Sequence, residues 1–331
     1  MFPRHTNRTR FLLMALMVID FFTQRRRAAE RGRRVAEREA EGGRILALRS
    51  LLCDLAALRE IWPPPATIVE MNKVSAVYGP VTSWRVGRSL GIDLLCVNSI
   101  CSFNCTYCQL GFIQLRTRQR ALFVPTRKVL DDLKKSDWQS ADIITFSGSG
   151  EPTLALNLGE VIGEIRCLTG KPILVLTNGS LLDQPEVRRE LAAADRVYVK
   201  LDAATERTFQ LVNRPVEGLT LHKIVGSTVE FRRRFSGYLG IQCMFLRNNL
   251  EEFEALIPLL NRIRPDEVQI NSPSRPYPQS WVISSRGSHD GVDYPAKPLK
   301  PLSQEEGDRI AQRLKEATGL KIVWRAEAQR R

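Results

Sequence analysis

The run Cys101-Ser102-Phe103-Asn104-Cys105-Thr106-Tyr107-Cys108 contains three cysteines at a C-x3-C-x2-C spacing, directly after an apolar, strand-like segment. Thiolates this close together on one loop are typical ligands of an iron–sulfur cluster. A cubane cluster has four irons, so three protein ligands leave one iron open to another molecule. The spacing therefore favours a catalytic [4Fe–4S] cluster over an electron carrier.

Zinc is the first alternative for these cysteines. A structural zinc site needs four nitrogen or sulfur ligands, yet the chain has no second cysteine pair, and His5, His222 and His289 lie far away. Only a distant residue could complete a three-cysteine zinc site. A ferredoxin would need a fourth cysteine ligand. The remaining cysteines, Cys53, Cys96, Cys167 and Cys243, lie among apolar residues and are predicted to be reduced, without disulfides. Burial is predicted for Cys96, Cys167 and Cys243.

The charge and the N-terminal residues say less about function. The net charge of +13, from 49 basic and 36 acidic side chains, is compatible with a nucleic-acid partner but does not establish one. The apolar residues 11–22 are too few to span a bilayer, so no stable membrane insertion is predicted. An Arg- and Ala-rich helix is expected over residues 24–49. Met71 opens an ordinary cytosolic start, which makes residues 1–70 a dispensable extension or an over-extended reading frame.

From Gly91 onward, short apolar strands alternate with amphipathic helices. The predicted strands are Gly91–Val97, Asp142–Phe146, Pro172–Leu176, Arg196–Leu201, Tyr238–Leu246 and Glu267–Asn271. The predicted helices are Thr126–Lys135 with Thr126 as its cap, Leu158–Leu168, Pro185–Ala194, Glu206–Val212, His222–Phe235 and Asn249–Ile263. A further helix, Ser303–Thr318, precedes a strand at Leu320–Trp324. Six such units predict parallel strands in a partial barrel, with an open doubly wound sheet as the competing architecture.

Polar segments follow the predicted strands where parallel α/β folds assemble their sites. Residues 146–152 read Phe-Ser-Gly-Ser-Gly-Glu-Pro, in which the glycines allow close backbone approach and Glu151 could accept from an ammonium group. Asn178 follows the third strand, and Lys200 and Asp202 share one face at the end of the fourth. The alternatives are a simple strand-exit turn at Asn178 and an ion pair between Lys200 and Asp202.

The cysteine spacing, with Tyr107 directly before the last cysteine, resembles the radical S-adenosylmethionine (SAM) superfamily. Within it, the chain resembles an uncharacterised group related to the wyosine-base tRNA-modifying enzymes. The segments that carry this likeness are 78–81, 87–91, 146–154, 177–182, 201–203, 213–215 and 269–276, within residues 76–280. The second cysteine set of the archaeal wyosine-forming enzymes is missing, and Ser149 replaces the first of two usual glycines before Glu151 and Pro152.

The resemblance implies an α/β partial (βα)6 TIM-like barrel of the radical SAM type, with an N-terminal helical extension and a small C-terminal cap. It implies a [4Fe–4S] cluster on Cys101, Cys105 and Cys108, with SAM on the open iron. Further cofactor contacts are implied for Tyr107, Gly148, Ser149, Gly150, Glu151, Asn178, Lys200 and Asp202. The reduced cluster would cleave SAM to methionine and a 5′-deoxyadenosyl radical, which abstracts hydrogen from a substrate. No residue is assigned to catalysis.

The domains expected are an extension (1–70), a radical SAM core barrel (71–275) and a C-terminal loop and cap (276–331). A tRNA base is the first candidate substrate. It would be recognised near residues 213–215 and by Arg275, Tyr277 and Trp281 on the loop 272–285. Because this loop contains several prolines, a rigid linker is the alternative for it. The alternatives are a peptide or small metabolite, or a non-catalytic iron–sulfur redox protein. A flavodoxin- or ferredoxin-type one-electron reductant and a cytoplasmic location are expected.

Overall fold

A mostly parallel sheet forms the wall of the fold. The structure is a computed structural model, and it describes residues 74–96, 98–281 and 294–324. The strands in these residues are β1 (Val77–Ser83), β2 (Gly87–Ile92), β3 (Ile100–Cys101), β4 (Leu115–Arg116), β5 (Ile143–Phe146), β6 (Ile173–Thr177), β7 (Arg196–Lys200), β8 (Tyr238–Met244), β9 (Glu267–Asn271), β10 (Tyr277–Pro278), β11 (Ala296–Lys297) and β12 (Ile322–Trp324). Eight of them form one sheet in the order β1-β2-β5-β6-β7-β8-β9-β12.

The six strands β2, β5, β6, β7, β8 and β9 run parallel and follow chain order across the sheet. A doubly wound sheet would reverse its strand order at a switch point, and none of the described strands does so. Right-handed crossovers that always advance in one direction curl a sheet towards a barrel. The predicted partial (βα)6 barrel is therefore confirmed. Antiparallel β1 forms one edge, and β12, parallel to β9, forms the other.

Amphipathic helices connect these strands. In the described residues they are α1 (Thr126–Lys134), α2 (Leu158–Thr169), α3 (Pro185–Leu191), α4 (Glu206–Val212), α5 (Leu221–Arg234), α6 (Ile257–Ile263) and α7 (Gln304–Thr318). Helix α2 buries Leu158, Val161, Ile162 and Ile165, the spacing of one helical face. It ends at Gly170, whose φ of 64° is the left-handed C-terminal conformation that glycine adopts without strain.

Two predicted element boundaries were wrong near the cysteine run and in the sixth unit. The first barrel strand is Gly87–Ile92, not Gly91–Val97, because the Asp93 carboxylate accepts from the Leu95 and Cys96 N–H groups at 2.9 Å and turns the chain off the sheet. The predicted helix 249–263 is a 3-10 helix over Leu250–Leu256 followed by α6. Pro258, near the start of α6, lacks the N–H that a continuous helix would need there.

Two predictions about single side chains were also wrong. Thr126 is not the cap of α1: the N-cap position is Pro125, and no side chain caps it. Cys167 is exposed, because it lies on the outer face of α2, whereas Cys96 and Cys243 are buried as predicted. Cys53 lies outside the described residues.

The C-terminal residues extend the barrel wall. Helix α7 begins with a capping box, in which the Ser303 hydroxyl accepts from the Glu306 N–H and the Glu306 carboxylate accepts from the Ser303 N–H. Strand β12 then pairs with β9. The predicted extension 1–70 lies outside the described residues, and the boundaries at 70 and 275 stay predictions. Among the helices that the structure describes, none has the length and apolar character to cross a membrane.

Candidate functional site

The cysteine run lies beyond the carboxyl end of β2. Cys101 belongs to β3, where it pairs with Arg116 of the parallel strand β4. The Cys108 N–H donates to the Cys105 carbonyl at 3.1 Å, which closes a turn between these two cysteines. The run therefore has a defined backbone conformation built from local hydrogen bonds.

All three thiols border one cavity of about 760 Å³. Six of the predicted cofactor contacts line the same cavity: Tyr107, Gly148, Gly150, Glu151, Asn178 and Lys200. Ser149 and Asp202 are buried, Asp202 accepts a hydrogen bond from the Tyr107 hydroxyl, and the Ser149 carbonyl accepts one from the Ile100 N–H. The structure thus brings together residues from the cysteine run and from the ends of β5, β6 and β7, as the topology of parallel strands predicts.

The donor set fits an iron–sulfur cluster. Burial raises the pKa of all three thiols, that of Cys105 to about 12, and the Glu151 and Asp202 charges add to the effect at Cys101 and Cys105 respectively. Positive iron would offset this cost by binding the thiolates directly. No three His, Cys, Asp or Glu side chains in the described ranges converge closely enough for a single metal ion. The thiols border a larger space, which suits a cluster.

Glu151 is a carboxylate buried in the wall of this cavity, only 2 % exposed. Its Oε1 accepts from the Thr153 N–H and from the hydroxyls of Thr153 and Thr177, and its Oε2 accepts from the Asn178 N–H at 2.6 Å. Burial raises the pKa of Glu151, and these hydrogen bonds oppose the rise. Because a carboxylate offers about four acceptor positions and Oε1 holds most of these donors, Oε2 has room for a ligand ammonium.

The glycine-containing segment after β5 is joined to the cysteine run by main-chain hydrogen bonds. The Ile100 N–H donates to the Ser149 carbonyl at 2.7 Å, and the Glu151 N–H donates to the Ile100 carbonyl at 2.9 Å. Gly150 has a φ of 142°, and a Cβ there would overlap the Ile100 carbonyl oxygen. Only glycine permits this approach. The Ser149 hydroxyl points away from the cavity and bonds Asp93 at 2.7 Å.

Lys200 and Asp202 act on different partners. The Lys200 ammonium lies 5.1 Å from the centre of the Tyr107 ring. The Asp202 carboxylate accepts from the Tyr107 hydroxyl, from the Asn213 amide at 2.8 Å and from the Met244 N–H at 2.8 Å. No ion pair between Lys200 and Asp202 occurs in the described part of the chain, so the alternative of a simple pair is not observed.

Asn213 belongs to the site, although the sequence placed residues 213–215 near the substrate entrance. Its side chain is 1 % exposed, and its Nδ2 lies 3.5 Å from the Cys105 sulfur. The Asn104 N–H donates to the Asn213 carbonyl at 3.0 Å, and the Thr106 N–H donates to the Val212 carbonyl at 2.9 Å. In the sequence, the available signal was a polar residue directly after the apolar face of helix α4. Its partner, Cys105, is 108 residues away in the chain.

Residues 95–260 match the Radical SAM superfamily, and the chain belongs to this family. Members of the superfamily bind a [4Fe–4S] cluster and SAM, and they are enzymes of SAM-dependent radical chemistry. The superfamily predicted from the sequence is therefore confirmed.

Two relatives and one solved structure illustrate what this chain is similar to. A UPF0026 protein of Synechocystis is 44% identical over 245 residues, which cover 74% of this chain and 92% of the relative. A probable GTP 3′,8-cyclase of Metallosphaera sedula is 25% identical over 190 residues, covering 56% of each chain. The structure of Streptococcus suis SuiB bound to S-adenosylmethionine is similar with a TM-score of 0.49 and 13% identity, over 69% of this chain and 48% of that one.

Proposed function

We propose that Cys101, Cys105 and Cys108 hold one [4Fe–4S] cluster and that SAM binds beside it. The observation that carries this proposal is that the three thiols and the Glu151 carboxylate border one cavity of about 760 Å³. When bound, the two cofactors supply reductive cleavage of a sulfur–carbon bond and abstraction of a hydrogen atom from the substrate. The electron comes from a one-electron reductant of the flavodoxin or ferredoxin type.

Residues of this chain place SAM and shield it from water. Glu151 receives the ammonium group of SAM on Oε2, the oxygen with room for a further donor. Tyr107 is held by its hydrogen bond to Asp202 and packs beside the Lys200 ammonium, so its ring forms a fixed wall. Gly148 and Gly150 line the cavity and lie so close to Asp93 and Ile100 that a Cβ at either position would overlap their atoms. Each of these contacts with SAM is part of the proposal.

A nucleic-acid base, in tRNA, is the substrate that we propose first. The net charge of +13 is compatible with a polyanionic partner. The loop after β9 reaches the cysteine run: Arg275 lines the cavity and bonds the Gln109 side chain, next to Cys108. Gly111 lies directly under the main chain of Pro278 in the same loop. Arginine on such a loop suits phosphate, and Tyr277 suits stacking on a base.

A nucleotide-sized metabolite is the second candidate. The observation that favours it is the likeness to the relative named probable GTP 3′,8-cyclase. A free nucleotide would need the cavity alone, whereas tRNA would also need the outer surface. Equilibrium dialysis of the SAM-loaded protein with GTP, beside filter binding with tRNA, separates the two candidates.

The first experiment tests the chemistry without the substrate. The full chain is reconstituted with iron and sulfide under anaerobic conditions, given SAM and dithionite, and assayed for 5′-deoxyadenosine. We expect product from the wild type, none from Cys105→Ala, and wild-type amounts from the matched control Cys167→Ala, whose thiol is exposed on α2. A protein that assembles its cluster yet neither binds nor cleaves SAM would refute the proposal, and zinc in place of iron would refute it more fundamentally.

The second experiment tests the substrate. We expect the reconstituted protein to retain tRNA at low salt and to release it steeply as salt rises, because phosphate contacts displace counterions. No retention at low salt would exclude tRNA and leave the chemistry of the first experiment untouched.

A further inference from the structure

Two buried asparagines direct side-chain amides at the sulfurs of two predicted cluster ligands. The Asn178 Nδ2 lies 3.4 Å from the Cys101 sulfur, and the Asn213 Nδ2 lies 3.5 Å from the Cys105 sulfur. The Cys108 thiol receives a main-chain hydrogen bond from Leu110 instead. Among the described side chains no amide donates to the Cys108 sulfur. The three ligands therefore have unequal surroundings.

The orientation of each amide is fixed by its other contacts. The Asn178 Nδ2 also donates to the Ser102 hydroxyl at 2.9 Å, while its Oδ1 accepts from the Ser180 N–H at 2.9 Å. The Asn213 Nδ2 also donates to the Asp202 carboxylate at 2.8 Å. Turning the Asn213 amide over would set its oxygen against the Asp202 carboxylate, and turning the Asn178 amide over would set its N–H groups against the Ser180 N–H. The N–H groups therefore face the sulfurs.

The residues that hold these amides are themselves anchored. Asp202 accepts from the Met244 N–H through its other oxygen, and the Asn178 N–H donates to Glu151. The side chains of Asn178 and Asn213 are 5% and 1% exposed, so water does not compete for them. Both amides are thus ready for the sulfurs before any cofactor binds.

An N–H group that points at a ligand sulfur stabilises negative charge on it, and reduction adds one negative charge to the cluster. We propose that Asn178 and Asn213 are positioning residues that raise the reduction potential of the cluster and orient Cys101 and Cys105. This inference rests on the proposed cluster. It assigns no role in bond breaking to either asparagine.

The test is an EPR-monitored redox titration of the reconstituted full chain, without substrate. At the wild-type midpoint potential, we expect Asn178→Ala and Asn213→Ala each to lower the ratio of reduced to oxidised cluster several-fold. The double variant should lower this ratio tenfold or more, and a tenfold change corresponds to a shift of 59 mV in the midpoint potential of a one-electron couple. Asn157→Ala is the matched control, because that buried asparagine donates to the Val124 carbonyl and the Thr126 hydroxyl rather than to sulfur. Its midpoint should equal that of the wild type.

Unchanged midpoints in Asn178→Ala and Asn213→Ala, with clusters assembled, would overturn the inference. If an alanine variant fails to assemble a cluster, Asn178→Ser and Asn213→Ser replace it, because serine keeps a smaller hydrogen-bond donor. Their midpoint potentials should lie between that of the wild type and the value expected when the donor is removed. Pulsed EPR of the reduced wild type labelled with [15N]asparagine needs no variant: nitrogen coupling is expected, and its absence would also overturn the inference. Failure of the wild type itself to assemble a cluster would refute the proposed function instead.

Discussion

Replacing Gly150 by alanine tests the contact that joins the segment after β5 to the cysteine run. A Cβ at this position would overlap the Ile100 carbonyl oxygen, and the φ of 142° is a conformation nearly reserved for glycine. Such backbone strain costs about 1–3 kcal/mol. Moving Ile100 away would also break its hydrogen bonds with Ser149 and Glu151, at about 0.5–1.5 kcal/mol each. The expected loss in the free energy of unfolding is therefore about 2–6 kcal/mol.

Urea unfolding of the apo protein measures this loss, and iron content after reconstitution measures its effect on the site. Gly163→Ala is the control: Gly163 lies within α2, and a Cβ there would meet no atom within 4 Å. That change should stabilise the protein by about 0.5–1 kcal/mol, because alanine favours the helix. If Gly150→Ala unfolds like the wild type and still loads iron, the close approach to Ile100 does not exist in solution and the reasoning is refuted.

Three further perturbations have defined outcomes. Burial alone would raise the pKa of Glu267, but hydrogen bonds led by Lys321 lower it overall. Its stabilisation is therefore present above the unfolded pKa and lost as pH falls through the folded pKa, so Glu267→Gln should flatten the fall in urea stability below about pH 5. Maleimide should label Cys167 in the native protein and spare Cys243 until urea unfolds it. Asn249→Ala removes the hydrogen bonds that the side-chain amide donates to the Asp202 and Met244 carbonyls. It should lower the free energy of unfolding by about 2–4 kcal/mol, and an unchanged melting temperature would contradict that.

The sequence predicted those parts of the fold that depend on local patterns. The six barrel strands and their helices follow from apolar runs and helical spacing, although the first strand lies four to five residues earlier than predicted and the predicted helix 249–263 is divided into a 3-10 helix and an α-helix. The antiparallel hairpin of β1 and β2 went unpredicted, because its residues Gly87, Arg88 and Ser89 are polar or small and pair through the main chain. The exposure of Cys167 was mispredicted because apolar neighbours in sequence do not say which face of α2 a residue occupies.

The candidate site likewise contains residues that the sequence could identify and residues whose roles it could not. The cysteines and Glu151 could be found because each lies in a short, chemically distinctive run. The roles of Asn213 and Asp202 could not, because each depends on a partner distant in sequence, such as the 95 residues between Tyr107 and Asp202. The sequence resemblance implies a cofactor contact for Ser149 in place of a glycine, whereas the Ser149 hydroxyl bonds the Asp93 carboxylate. Long-range hydrogen bonds leave no periodic trace in a sequence.

Main-chain hydrogen bonds join the cysteine run to the end of helix α4, and they bear on how the protein matures. Asn104 and Thr106 bond to main-chain carbonyls of Val212 and Asn213, and Val216 donates back to the Ser102 carbonyl at 2.9 Å. During synthesis, the three cysteines leave the ribosome more than a hundred residues ahead of these partners. A nascent chain stopped before residue 212 would lack these partners for the cysteine run. We therefore expect iron loading to follow the folding of the fourth barrel unit.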